Sequence, residues 1–258
     1  MSGAVEKKAN EEIAIGRDTL RWWDPLLVLV FALVGWFIVF AGPALLLGGS
    51  LRGFGDPHTA TPSGYATNAQ RFYALHFYVN TLYLAVLIVM CVLARWRGFR
   101  LFTDYFASIP FRSTLSAALL GSGVGATFCL FFLGHRMIAT LPMLHYRLGW
   151  LVPFGLVGVI IAPVVEELYF RGILLDCLKH RFSPVLSTWI NAVAFALTHF
   201  RFLFHPGVSG WIETIWIGVG GLLLAGLALR DDSLRTPVAA HAGHNTIFVI
   251  FLFLLDIR

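Results

Sequence analysis

IAPVVEELYFRG, residues 161–172, sets two adjacent carboxylates and an arginine at the end of a long apolar run. A charge at the centre of a membrane helix costs at least about 2.5 kcal/mol on insertion scales, so charged side chains kept there are functional candidates by default. The surroundings decide whether this run is such a helix. Of the 258 residues, 58% are hydrophobic and 13% charged, with 23 Phe and 8 Trp, whereas soluble domains carry about 25% charged residues. Apolar runs that can cross a bilayer, which takes about 20 helical residues, lie near 26–48, 72–94, 114–134, 150–170, 184–204, 211–229 and 237–255. They lack strict polar–apolar alternation, which argues against a β-barrel. The expected fold is all-α: a polytopic transmembrane helical bundle of about seven spans, within a range of six to eight.

The first span follows more than 20 residues of mixed charge and is too long for the core of a signal peptide, so it is expected to stay as an anchor. Cys91, Cys129 and Cys177 lie in separate apolar segments without metal or redox spacing and read as small buried hydrophobes. The net charge of +5 does not form one patch, and no nucleic-acid partner is expected. Its distribution reports orientation. Twelve basic residues fall on one side of the expected spans (Lys7, Lys8, Arg17, Arg21, Arg95, Arg97, Arg100, Arg112, Lys179, Arg181, Arg230 and Arg235), and six on the other (Arg52, Arg71, Arg136, Arg147, Arg201 and Arg258). The excess of lysine and arginine on cytoplasmic loops then places the amino terminus in the cytoplasm.

The chain is expected to divide into a cytoplasmic segment over 1–25, amino-terminal spans with an interfacial segment over 26–112, and a transmembrane core over 113–258 that holds the candidate catalytic groups. Residues 49–71, rich in Gly, Pro and Thr, read as an external loop. Residues 95–112 interleave arginines with aromatics and are expected to lie on the headgroups, and Trp22 and Trp23 read as interface anchors.

Helix geometry sorts the polar groups. Glu167 and Arg171 are four apart, acid first, the favoured order for an ion pair on one face. Glu166 is rotated about 100° from its neighbour and faces elsewhere. Phe195 and His199 share a face of the fifth span, and His241 and Asn245 share a face of the seventh. Measured from the turn near residues 181–184, Glu166 and His199 lie at nearly equal depth, so they can face each other. For His241 to join them, the hairpin of spans four and five must project roughly 10 Å or more beyond the turn after Arg230. His244, about 60° from His241, reads as packing or cavity lining, and Glu213, beside Trp211 and Trp216, as interfacial.

Glu-Glu-x-x-x-Arg at 166–171, Phe-x-x-x-His at 195–199 and His-x-x-x-Asn at 241–245, in this order on three apolar helices, resemble the CPBP family. That family comprises CAAX-prenyl-endopeptidase-like and bacteriocin-processing membrane proteins, glutamate-dependent intramembrane proteases of the Rce1 and Abi type. The resemblance covers roughly residues 115–255 and implies a CAAX-protease-like core that hydrolyses a peptide bond in a membrane-associated or prenylated protein, without a cofactor. Peptide hydrolysis needs a nucleophilic water, a base and oxyanion donors. Glu166, without an arginine partner, suits the base, and His199 would hold the same water. By resemblance, His241 and Asn245 supply the oxyanion hole. Glu167 and Arg171 are then supporting residues that fix the helix and the rotamer of Glu166, with Phe195 beside them.

Two other classes stay open on the residues alone. Glu166, His199 and His241 could form a three-ligand zinc site, although no HExxH helix accompanies them. A transporter, proton relay or idle immunity or scaffold protein could use the same cluster, although no internal repeat is evident. The substrate is not legible in the sequence. The membrane follows from the host: cytoplasmic if bacterial, endoplasmic reticulum if eukaryotic.

The charge asymmetry gives the first prediction. Lys179→Cys, in a protein lacking its native cysteines, should react with impermeant thiol reagents from the cytoplasmic side only. Labelling from outside alone would invert the orientation.

Overall fold

The computed structural model describes residues 19–38, 62–134, 155–199 and 207–256. All of the regular structure in them is helical. In chain order the helices are α1 (Asp24–Trp36), α2 (Pro62–Arg97), α3 (Leu101–Tyr105), α4 (Phe111–Gly134), a composite α5, α6 (Pro184–Thr198), α7 (Val208–Asp231) and α8 (Arg235–Asp256). In α5 the chain runs without interruption through a π-helical stretch Val157–Ile161, an α-helical Ala162–Glu167, a second π-helical stretch Leu168–Leu174 and an α-helical Leu175–Lys179. Each of the seven expected spans coincides with a helix over its described part. Residues 39–48, 135–154 and 200–206 lie outside the description.

The local sequence accounts for several boundaries. Pro25 follows Asp24 at the start of α1, and Pro184 follows Ser183 at the start of α6, where the Ser183 hydroxyl accepts from the Leu186 amide at 3.3 Å; proline in the first turn forfeits no helical hydrogen bond. The first π stretch ends just before Pro163. That residue has no N–H, and its ring crowds the carbonyl four residues back, which a wider turn relieves. Asn191 Nδ2 donates to the Phe170 carbonyl at 2.6 Å within the second π stretch, and Arg171 Nη2 donates to Gly221 O at 3.2 Å. α5 is thereby tied to α6 and α7 one turn below the paired glutamates.

Two expectations change here. The loop foreseen over 49–71 lies partly outside the description, and its last ten residues, 62–71, are the start of α2. Pro62 opens this helix where proline is tolerated, so the Gly/Pro-rich composition marks the approach to the helix and not the whole segment. The segment 95–112 is exposed over much of its length, but one side of it is anchored in the bundle. Phe99, Leu101 and Tyr105 are buried in the main core with Leu168, Tyr169, Phe170 and Ile173 of α5. Only Trp96, Phe102 and Phe111 of its large aromatics face outward.

One end of the bundle gathers the basic loops. Arg97 forks onto Asp24, at 2.6 and 2.9 Å, with the carboxylate fully buried. Cys177 Sγ donates to Arg21 O at 3.2 Å, the Arg181 guanidinium lies over the Trp22 ring, and Arg235 Nε donates to Phe106 O at 3.2 Å. Segments 21–24, 97–107, 176–181 and 232–235 therefore meet at a single end, as the spacing of the charges requires. Of the cysteines, Cys129 and Cys177 are buried as expected, whereas Cys91 is exposed on the outer face of α2.

The outer faces are apolar at helical spacing: Leu84, Ile88 and Val92 on α2, Leu115 and Leu119 on α4, Trp189 and Val193 on α6, and Ile215 and Val219 on α7 are all exposed. Such a surface has no place in water. Asn80–Arg97, Phe111–Phe131 and Gly210–Asp231 are each long and apolar enough to cross a membrane, with α1 and α6 as shorter apolar helices. The protein is an integral membrane protein.

Without a hydrophobic force between helices in lipid, close association relies on small residues that let backbones approach. α4 and α8 do this through Gly121, Gly125 and Gly243. A Cβ on Gly121 would collide with the backbone of Ala240, one on Gly243 with the Ala118 carbonyl, and one on Gly125 would stand 2.8 Å from His244 O. These contacts bring the polar face of α8 into the bundle. Gly121→Val should therefore cost about 1–3 kcal/mol or more by overpacking. Gly123→Ala, whose Cβ would enter open space, should gain about 0.4–1 kcal/mol by restricting the unfolded chain. Thermal unfolding of both in detergent checks the pair, and equal midpoints would contradict the packing argument.

Candidate active site

A cavity of about 350 Å³ opens between α2, α4, α5, α6, α7 and α8. Its walls are largely apolar, with Phe128, Trp216, Phe248, Leu223 and Leu224 prominent, and its polar lining is Asn80, Tyr83, Glu166, His199, His241, His244 and Asn245. The four residues expected to carry chemistry, Glu166, His199, His241 and Asn245, all line it. So does Phe195; Glu167 and Arg171 stand behind the wall. Because Glu166 and His241 approach to 3.8 Å, the α5–α6 hairpin does extend past the α7–α8 turn. From Glu166 to Lys179 the helix runs 13 residues, from Arg235 to His241 six, a difference of roughly 10 Å.

The rotation between adjacent helical residues separates the two glutamates. Glu167, fully buried, accepts on a single oxygen, Oε1, from Arg171 Nη1 at 3.0 Å and from His241 Nδ1 at 2.8 Å. Arg171 is equally buried; its guanidinium also lies 4.1 Å over the Phe195 ring, a cation–π contact strengthened by desolvation. Phe195 in turn meets His199 and His241 edge-on, with centroids 4.7 and 5.9 Å apart. It is a wedge that fixes both imidazoles. From the sequence alone, Glu167 is expected to steady the Glu166 rotamer. In the structure its carboxylate grips His241, a partner 74 residues away that no local spacing reveals.

This bond has a consequence for protonation. A carboxylate can only accept, so His241 Nδ1 carries a proton and, in the neutral ring, Nε2 is an acceptor. Nε2 faces Glu166 Oε2. His199 Nδ1 approaches the Phe195 carbonyl at 2.8 Å, one turn back in α6. That carbonyl assigns Nδ1 the proton and leaves Nε2 as acceptor in the neutral ring.

Asn245 is held from both ends of its amide. Nδ2 donates to Gly158 O at 2.7 Å, and Oδ1 accepts from His244 Nδ1 at 3.2 Å, so one amide N–H remains uncommitted. His244, read from sequence as packing or lining, lines the cavity and orients Asn245. Gly158 lies in the π stretch ahead of Pro163, which gives that irregular turn a place in the site.

α2 contributes what sequence reading missed. The Tyr83 hydroxyl donates to Glu166 Oε1, and Asn80 lines the cavity one turn away on the same face. The signal was present: Asn80 is a lone amide within the apolar run 72–94. Tyr83 was hidden because tyrosines are common in membrane helices. Glu213, near the start of α7, is buried within the bundle; it does not line the cavity. Among the described residues no three His, Cys, Asp or Glu side chains are grouped so as to hold a metal ion.

The protein is thus an all-helical membrane bundle in which one Glu, three His and two Asn face one cavity. Residues 148–247 match the family model described as Type II CAAX prenyl endopeptidase Rce1-like, and over this segment, which holds all three motifs, the chain carries that family's signature. The kinship read from the motifs is borne out. An uncharacterized protein of Bacillus subtilis (strain 168), YyaK, is 27% identical over 111 residues, which is 41% of this chain and 36% of that relative's length. The chain thus aligns with about a third of the curated relative it matches. No solved structure gives a significant match.

Removing the acid that Arg171 and His241 share should be severe. Glu167→Gln leaves a guanidinium fully buried without a counter-charge, a loss of about 3–5 kcal/mol. Thermal stability in detergent should fall accordingly, and the protein that does fold should be impaired because a neutral amide holds the His241 ring less firmly than the carboxylate does. A variant of parental stability would contradict the role assigned to the pair.

Proposed function

We propose that this protein is an intramembrane endopeptidase that hydrolyses a peptide bond with a water activated by Glu166. The observation that carries the reading is the convergence of Glu166, His199, His241 and Asn245 on one cavity whose walls are largely apolar. Glu166 Oε2 is buried, has no hydrogen-bond partner among the described residues and faces His241 Nε2. It is the oxygen to which a water would transfer its proton, while His199 Nε2 accepts from the same water. Attack on the scissile carbonyl develops charge on its oxygen. The uncommitted Asn245 N–H is one donor for that charge, and His241 Nε2 is the other when the ring is doubly protonated, a form in which both nitrogens face carboxylates. Preorganised donors of this kind contribute about 2.7–4 kcal/mol each to transition-state stabilisation.

A second reading is favoured by the Glu167–His241 bond. With Nδ1 donating to Glu167, neutral His241 presents a lone pair at Nε2 and could itself act as base, oriented by a buried carboxylate. Glu166 then serves as the acid that protonates the leaving amine. Both readings make the protein a glutamate-dependent hydrolase, and neither routes a step through a metal.

The substrate we infer is a peptide or protein that reaches the cavity from the membrane, with an apolar residue or hydrocarbon group against Phe128, Trp216 and Phe248. Likeness to a family described as CAAX prenyl endopeptidase adds prenylated tails to that class. The bundle end that gathers the basic segments is read as cytoplasmic.

Glu166→Gln keeps shape and hydrogen bonding but cannot take a proton. Turnover per folded molecule in liposomes, on a peptide the parent cleaves, should fall by about 10² or more with unfolding temperature unchanged. Parental activity in this variant would remove Glu166 from the mechanism. Chelator treatment of the parent should leave activity intact, with zinc well below one per chain; zinc lost in step with activity would turn the assignment to a metalloprotease.

A further inference from the structure

We propose that Tyr83 is a positioning residue for Glu166, supplied by α2 from outside residues 148–247 that carry the family signature. The proposal rests on the reading of Glu166 as the group that handles the proton. A glutamate carboxylate rotates broadly about its terminal torsion, so a bare side chain would present either oxygen to a reactant. The Tyr83 hydroxyl removes that freedom: it donates to Oε1, and among the described residues no other hydrogen bond to Glu166 is formed. Oε2 is consequently the oxygen turned toward His241 Nε2, at 3.8 Å. The phenol distinguishes two otherwise equivalent oxygens, one held and one working.

α2 is built to hold this register. Two residues before Tyr83, Thr81 Oγ1 accepts from Trp36 Nε1 at 3.0 Å, which ties α2 to α1 beside the site. At the far end Arg97 is clamped to buried Asp24 of α1. Between them Met90, Leu93 and Ala94 sit in the main core against α5. Tyr83 is fixed from both sides, so its bond to Glu166 is a directed contact from a rigid element. A tyrosine needing only hydrogen-bond satisfaction in a helical bundle has backbone carbonyls and hydroxyls to choose from; this one selects a carboxylate. Glu167 shows the complementary case, with its own Oε1 committed to Arg171 and His241. Both carboxylates of the pair are thus held on one oxygen, by donors from different helices.

The experiment compares Tyr83→Phe with the parent in detergent, using kinetics and infrared spectroscopy. The substitution removes one hydroxyl and keeps the ring, and an unchanged unfolding temperature establishes that the bundle is intact. The carboxyl band of Glu166 is assigned by its loss in Glu166→Gln. In Tyr83→Phe this band should shift, and kcat should fall about tenfold to a hundredfold, as for a misplaced reacting group, with KM changed by no more than about twofold. A band at the parental frequency, or a kcat equal to the parent's, would overturn the proposal. If the parent cleaves none of the peptides offered, the protease reading fails separately, while the band still tests whether Tyr83 holds Glu166.

Discussion

Everything in the site leans on a buried ion pair. Glu167 and Arg171 have no access to solvent, and transferring two such charges from water costs several kcal/mol each unless their remaining donors and acceptors are matched. The surrounding groups supply part of that match: His241 completes Glu167 Oε1, Gly221 O takes one guanidinium N–H and the Phe195 face covers the cation, while Glu167 Oε2 and Arg171 Nε stay without a hydrogen-bond partner among the described residues. Four helices meet in these contacts, since Glu167 and Arg171 come from α5, Phe195 from α6, Gly221 from α7 and His241 from α8. The pair is costly as an isolated object. As a junction it fixes how those four helices can be arranged, because any other packing would strand a charge.

The same junction explains the glycine contacts. His241 can reach Glu167 only if α8 lies deep in the bundle, and it lies deep because Gly121 and Gly243 let the α4 and α8 backbones touch. The π turns act in the same direction from α5. One places the Gly158 carbonyl against Asn245, and the other carries Arg171 and Phe170 toward Gly221 and Asn191. In lipid, where apolar faces have little preference for one another over the solvent, such small-residue contacts and buried polar bonds decide which helix neighbours which.

Much of this was legible in the amino-acid sequence, and the parts that were not have a common cause. Composition and run length predict the helical bundle, and helical periodicity correctly separates Glu166 from Glu167 and joins Glu167 to Arg171. Depth counting from the turns predicts that Glu166 and His199 share a cavity. What escaped are relations between helices distant in sequence: Glu167 with His241, Tyr83 with Glu166, Asn245 with Gly158. A period reports which face a residue occupies but not what faces it. The 95–112 segment shows the same limit, since its interleaved arginines and aromatics suit a headgroup layer, yet Phe99, Leu101 and Tyr105 turn inward because α5 presents a matching apolar surface.

The adjacency of the two glutamates follows from these relations. A helix step of about 100° turns one carboxylate into the cavity and the other into the protein, so two neighbours on one rigid element act on the two nitrogens of a single imidazole from different sides. Glu167 takes Nδ1 and Glu166 stands across from Nε2. Had the acids been four residues apart, both would have shared the cavity face, and Arg171 would have had to enter the cavity to neutralise one of them. Placing them side by side keeps the cation and its counter-ion behind the wall. It leaves one carboxylate, held on its far oxygen by Tyr83, as the anionic group the cavity presents among its described lining.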